Sequence, residues 1–384
     1  MRSLSKTARY CAIAFGTGLL VSAPAYAATF TTLASGLPNS LEISAVIGTT
    51  AYGSTLYGGK GGAGTLFAVT SRGRVIPLHN FDAETQGAQP NDMLAVDPQG
   101  NIYGTTQNGG KYRGGTIYKF STDRRTLKVL HAFDSSTGDG SRPLQGLVRG
   151  SGGALYGAAA GGAIATNGSI FEIYPAGNYI TRYRFLSRGD GHCPYSGVAV
   201  DGKGFIYGTT VGAGFGGAPN GAVWKLSMQG KLTPLHLFGD GKNGLPDGEY
   251  PDQAPVVDAA GNVYGTSMIM NGSHYAGVIW KIDPAGKFSI MHQFAGKADG
   301  YGPNGPLMIN IDGNLYGTTA SGGGTAAKPG QGTLFRITPS GVFRVIHTFT
   351  GGADGSGPTG TLAHDSTGAI YGATGAGTVY KVKL

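Results

Sequence analysis

Short apolar runs separated by turn-forming clusters fill this chain, and the clearest set spans residues 93–143. Met93-Leu94-Ala95-Val96 leads into the turn Asp97-Pro98-Gln99-Gly100-Asn101, then into Ile102 to Thr106. A Gly-rich stretch, 107–114, precedes Gly115 to Phe120. The turn Ser121 to Arg125 leads to Leu127 to Phe133, and a longer Asp-Gly-Pro loop covers 134–143. Each run is strand-length, rich in β-branched and aromatic residues, and bounded by Gly, Asp, Asn and Pro, so four strands (a to d) are predicted here. Both faces of these strands are apolar, as expected where a sheet is sandwiched between two others.

The unit recurs. A Tyr-Gly pair preceded by an aliphatic residue begins at Tyr57, Tyr103, Tyr156, Tyr207, Tyr264, Tyr316 and Tyr371. Strand c opens on Gly64, Gly115, Gly168, Gly221, Gly277, Gly332 and Gly377, with an aromatic residue three positions later. Strand d ends in His-x-Phe from His79, His131, His236, His292 and His347, with Tyr183 replacing His in the third unit. Four-stranded units repeating near fifty residues indicate propeller blades. The seventh unit stops at Leu384 without a strand d, and Thr29 to Leu33 is a lone strand with no unit before it. The expectation is an all-β, seven-bladed propeller, a single domain over 28–384, closed by the N-terminal strand completing the last blade.

Composition changes this picture little. Gly is 71 of 384 residues, charged residues are 13%, and Tyr and Phe number 20 and 16, which suits many turns and excludes disorder. Residues 1–27 read as a signal peptide: Arg2, Lys6 and Arg9, then an apolar stretch from Cys11 to Val21, then Ala25-Tyr26-Ala27. An exported chain, periplasmic or extracellular, with no later membrane span is expected. Losing the three leader cations takes the net charge from +8 to +5. The remaining cations are scattered along the sequence, so nucleic-acid binding is not expected, and only a mild pull toward acidic glycans or cell surfaces is. Cys193 is left without an intrachain partner.

The series L-Y-G-T-T, G-T-[IL]-[YF]-K and L-H-x-F resembles the GloVer (Gloeo/Verruco) tandem-repeat family of exported bacterial proteins over essentially the whole of 28–384. The resemblance implies a propeller-like exported protein and no chemistry assignable to particular residues. Many relatives carry a C-terminal surface-sorting anchor; here the sequence ends at Val382-Lys383-Leu384 inside a strand.

Residues present in every unit are expected to build blades, so function is sought where units differ. Strand-d histidines lie in separate sectors of a ring and cannot share a metal. Gly212-x-Gly214-x-x-Gly217 precedes a strand rather than a helix, which removes the dinucleotide reading. In a propeller the d-to-a and b-to-c loops share one face, predicted to be the functional one. It carries Asp139-Gly140, Asp190-Gly191, Asp247-Gly248, Asp299-Gly300 and Asp354-Gly355. The most acidic loop supplies Asp240, Asp247, Glu249, Tyr250 and Asp252 as candidate binding residues, with Asp240, Asp247 and Asp252 as candidate calcium ligands. Lys111, Tyr112, Arg113, His192, Tyr195, His274 and Tyr275 complete the set as non-repeated residues on the same face. No catalytic residues are assigned.

The expected function is a binding or interaction module for an extracellular glycan or a surface protein. The alternatives are a carbohydrate-active hydrolase or lyase using loop carboxylates, and a structural envelope protein.

Overall fold

The computed structural model describes residues 28–384 apart from 39, 92, 162–167, 187–189, 192–193, 212–219, 240–246, 272–273 and 326–327; for 270, 271, 274, 275 and 328 it describes the backbone alone. Seven antiparallel sheets form a ring. Blade 2, for example, comprises Ala95–Val96, Ile102–Asn108, Thr116–Phe120 and Leu127–Ala132, with Ala88–Pro90 adding to the loop end of its second strand. The last sheet runs Thr29–Ala34, Thr378–Lys383, Ile370–Thr374, Pro358–His364, so the N-terminal strand closes the ring as strand d of blade 7.

The Tyr-Gly pair has a steric cause. Strand b glycine lies directly opposite the strand c aromatic: Gly104 faces Tyr118, Gly208 faces Trp224, and Gly265 faces Trp280. A Cβ on any of these glycines would collide with the facing side chain. Trp224 and Trp280 are thereby fully buried. Burying each large side chain contributes roughly 2–3 kcal/mol. This pairing corrects the first copy. In blade 1, Gly53 faces Phe67, so Tyr52-Gly53 is the repeat pair. Tyr57-Gly58 falls in the b-to-c loop, with Tyr57 56% exposed. Leu56 gave Tyr57 the right neighbour but the wrong register.

The glycine opening strand c meets the proline entering the next blade. A Cβ on Gly64 or Gly168 would sit 2.5 Å from Pro90 Cδ or Pro194 Cδ. Strand d supplies a second joint. His131, His236, His292 and His347 each bind the carboxylate of the following Asp-Gly loop, at 2.8, 2.8, 3.2 and 3.0 Å to Asp139, Asp247, Asp299 and Asp354. Each imidazole also stacks on an aromatic ring of the next blade: Tyr179, Phe288, Phe343 and Phe30, with centroids 3.6–3.9 Å apart. The closing strand thus uses the same contact, through Phe30, as the internal joints. Blade 1 varies it with His79 on Gln86, and blade 3 with the Tyr183 hydroxyl donating to Asp190.

Inner strands line a central channel. They enclose an apolar cavity of about 220 Å³ bounded by Met93, Leu94, Pro255, Leu307, Met308 and Leu362, among others. Small residues let the inner strands of blades 2 to 5 converge: a Cβ on Gly197 would lie 3.4 Å from Ala254 Cβ, Gln145 Cβ and Met93 Sδ.

Candidate functional site

The d-to-a and b-to-c loops do share one face, since six of the strand c glycines pack on a d-to-a proline and Gly377 packs on the Leu37 backbone of the corresponding loop. The other face holds the short a-to-b and c-to-d turns. These two faces dispose of their carboxylates differently.

The Asp-Gly aspartates are absorbed by the ring. Asp247 is buried. Its Oδ2 is 2.8 Å from His236 Nε2, and its Oδ1 accepts the Gly239 backbone N–H. Asp139, Asp190, Asp299 and Asp354 accept equivalent backbone bonds from Asp134, Leu186, Ala295 and Thr350. Burial pushes the His131, His292 and His347 imidazoles down, against the upward pull of the partner aspartates. These pairs are joints between loop and strand.

Of the acidic-loop set, Asp240 lies outside the described residues, as does His192; for His274 and Tyr275 only the backbone, paired Asn271–His274 and Met270–Tyr275, is described. Glu249 is tied by its backbone to Met268. Tyr250 has a left-handed backbone, φ 48°. So do Gln89 and Arg142, which also precede the blade-opening proline, so the conformation belongs to the repeat. Only the side chain it presents is particular to blade 5. Asp252 stands apart. It is half-buried at the channel mouth, burial pushes its carboxyl up, and the Gln253 amide donating at 3.2 Å pulls it partly back.

Around that mouth runs a network of amide and hydroxyl groups. Gln145 of blade 3 accepts the Gly197 N–H of blade 4 at 3.0 Å and donates to Asp252 O and Gln253 Oε1 of blade 5, both at 3.3 Å. Asn91 donates to Thr105 Oγ1 at 3.0 Å and accepts from Gln107 at 2.8 Å. Thr209 donates to Ser196 at 2.7 Å, and Asn304 donates to Pro358 O at 3.2 Å. Equivalent positions just after the blade-opening proline hold Asn91, Leu144, Tyr195, Asp252, Asn304 and Thr359. The register is shared and the chemistry changes from blade to blade.

Four exposed tyrosines stand on the same face: Tyr57, Tyr112, Tyr195 and Tyr250, at 56, 47, 40 and 37%. Lys111 Nζ lies 4.8 Å from the centroid of Tyr112, and Arg113 is exposed beside it. Sequence reading named Tyr112, Tyr195 and Tyr250. It missed Tyr57 by counting it as a blade-building residue, and missed Asn91, Gln107, Gln145, Gln253 and Asn304. For Asn91, Gln145, Gln253 and Asn304 the available signal was an amide side chain one or two positions after a repeated proline. Among the described residues, no three His, Cys, Asp or Glu side chains converge as metal donors.

A model of the Gloeobacter/Verrucomicrobia repeat matches residues 37–270 and 200–383, which together take in all seven blades. The chain belongs to the Gloeobacter/Verrucomicrobia repeat family. No curated protein matches it. A propeller of this repeat family fits an interaction module: a rigid ring presents loops whose side chains vary around a constant backbone.

Proposed function

We propose that this protein is an exported binding module that reads an extracellular glycan on its loop face, at and around the channel mouth. The observation that carries the reading is that, among the described residues, four exposed tyrosines stand on the same face of the ring as a network of amide and hydroxyl groups. Flat aromatic faces provide apolar contact, and convergent polar groups orient hydroxyls, the combination that small polar ligand sites use. Asp252 adds a carboxylate acceptor for a ligand hydroxyl.

A glycan array probed with residues 28–384 tests this, run once in calcium and once in chelator because Asp240 and Asp252 stay candidate cation ligands, Asp247 being taken by His236. Binding to at least one glycan is expected, with loss of at least tenfold in Tyr195→Ala or Tyr250→Ala, as for an interface anchor. No glycan bound under either condition overturns the reading.

A further inference from the structure

Cations that look scattered along the sequence are gathered by the fold. By the half of the ring on which each falls, the described residues place 17 Lys and Arg against 8 Asp and Glu on the turn side, and 7 against 11 on the loop side. Every blade contributes an exposed cation to the turn side: Arg72, Arg125, Arg149, Lys203, Lys287, Arg344 and Lys383 in blade order. The ion pairs of this half, Arg182 with Glu172 and Lys381 with Asp365, leave these seven out. Its aspartates are half-spent as well: Asp97, Asp201, Asp258, Asp312 and Asp365 each accept a hydrogen bond from the strand b tyrosine of their own blade.

Apolar side chains accompany the charge on one sector. Ile311 and Val342 are 60 and 52% exposed in the two turns of blade 6. Ile311 occupies the position held by Pro98, Gly202, Ala259 and Ser366 in other blades, and Val342 the position held by Arg74, Lys231 and Lys287. Leu384 lies with Ile311 along a hollow of about 480 Å³ between blades 6 and 7. Connections on this side span at most six residues, from 121–126 down to 48–49, so no long loop rises above the rim.

We propose that the turn face docks on an anionic lipid surface. The ring of cations lies over acidic headgroups, and Ile311, Val342 and Leu384 enter the headgroup layer. Charge complementarity selects an anionic partner. The exposed aliphatic side chains among the cations select lipid over an acidic polysaccharide, which offers nothing apolar to cover them. A rim of short turns suits a broad surface better than a single polymer chain. Docked this way, the tyrosine face points away from the lipid.

Sedimentation of residues 28–384 with vesicles tests the proposal. Vesicles rich in phosphatidylglycerol bind the protein, phosphatidylcholine vesicles do not, and high salt releases it. The triple variant Arg72→Glu/Arg125→Glu/Lys287→Glu lowers partitioning roughly a hundredfold, and Ile311→Asp/Val342→Asp lowers it roughly tenfold. Lys60→Glu/Lys297→Glu, on the loop face, leaves it unchanged. Unaltered melting temperatures confirm that the variants are folded. Three results overturn the proposal: no preference for phosphatidylglycerol, an equal loss from the loop-face variant, or capture by soluble polygalacturonate with no capture by vesicles.

Discussion

The two faces of this ring are built from the same seven units and use them in opposite ways. On the turn face, Asp97 with Tyr103, Asp258 with Tyr264 and Asp365 with Tyr371 repeat one cluster, a carboxylate taking a tyrosine hydroxyl at 2.9–3.0 Å. Lys119, Lys281 and Lys381 lie 4.7–5.7 Å from the same tyrosine rings. On the loop face the repeated groups, the His–Asp joints and the Gly–Pro contacts, fix the loops. The groups they carry, such as Asn91, Tyr195 and Asp252 at one shared position, change from blade to blade. A carboxylate's availability therefore depends on whether its blade position recurs: Asp247 is consumed and Asp252 is not. Position in the acidic loop does not separate them.

The sharpest way to break this comparison is to attack a repeated contact. Gly208→Val sets two methyl groups against the buried Trp224 ring. Overpacking there costs about 3 kcal/mol, read as a lower urea midpoint or as insoluble protein. His236→Ala is next. It removes the stack on Phe288 and leaves the buried Asp247 carboxylate unpaired. A loss of about 3 kcal/mol is expected, with partial recovery in the His236→Ala/Asp247→Asn double variant.

Acidity strains the same joints together. The His131, His292 and His347 imidazoles are held down by burial, so the unfolded chain binds more protons as pH falls through their ordinary range near 6.5. Their contribution to stability is complete above that range and is lost as pH drops through the depressed folded values. Asp354 acts in the same direction: hydrogen bonds from Thr350 and His347 outweigh burial and hold its carboxyl low. A melting temperature falling by a few degrees between pH 7 and pH 5 is expected. A flat profile would detach these histidines from stability. The smallest effect expected is for Tyr118→Phe. The Tyr118 hydroxyl is buried with no hydrogen-bond partner, so removing it changes stability by less than about 0.5 kcal/mol. Tyr103→Phe, which loses the bond to Asp97, costs about 1 kcal/mol by the same measurement.

Much of the ring was legible because its causes are local and repeated. Turn residues, Gly opposite an aromatic ring and an orphan N-terminal strand each leave a mark in the sequence. The one misplaced copy, Tyr57, had the right dipeptide in the wrong register, and only pairing of Gly53 with Phe67 resolves it. The site was less legible because its polar groups come from different blades. Gln145 meets Gln253 across 108 positions of chain. The Asp247 carboxylate is claimed by His236, eleven residues earlier, only once the strand and loop fold back. Charge asymmetry was hidden in the same way: each blade donates two to four cations to the turn side, drawn from separate strands and turns along the chain.

The division between repeated and non-repeated groups is tested most directly by one paired binding titration. It uses the glycan that scores highest on the array and compares Tyr195→Ala with Asp247→Asn. Tyr195→Ala is expected to keep the parental melting temperature and lose at least tenfold in affinity. Asp247→Asn is expected to melt lower and to bind unchanged once folded. The account is contradicted if Asp247→Asn abolishes binding while Tyr195→Ala binds as the parent does.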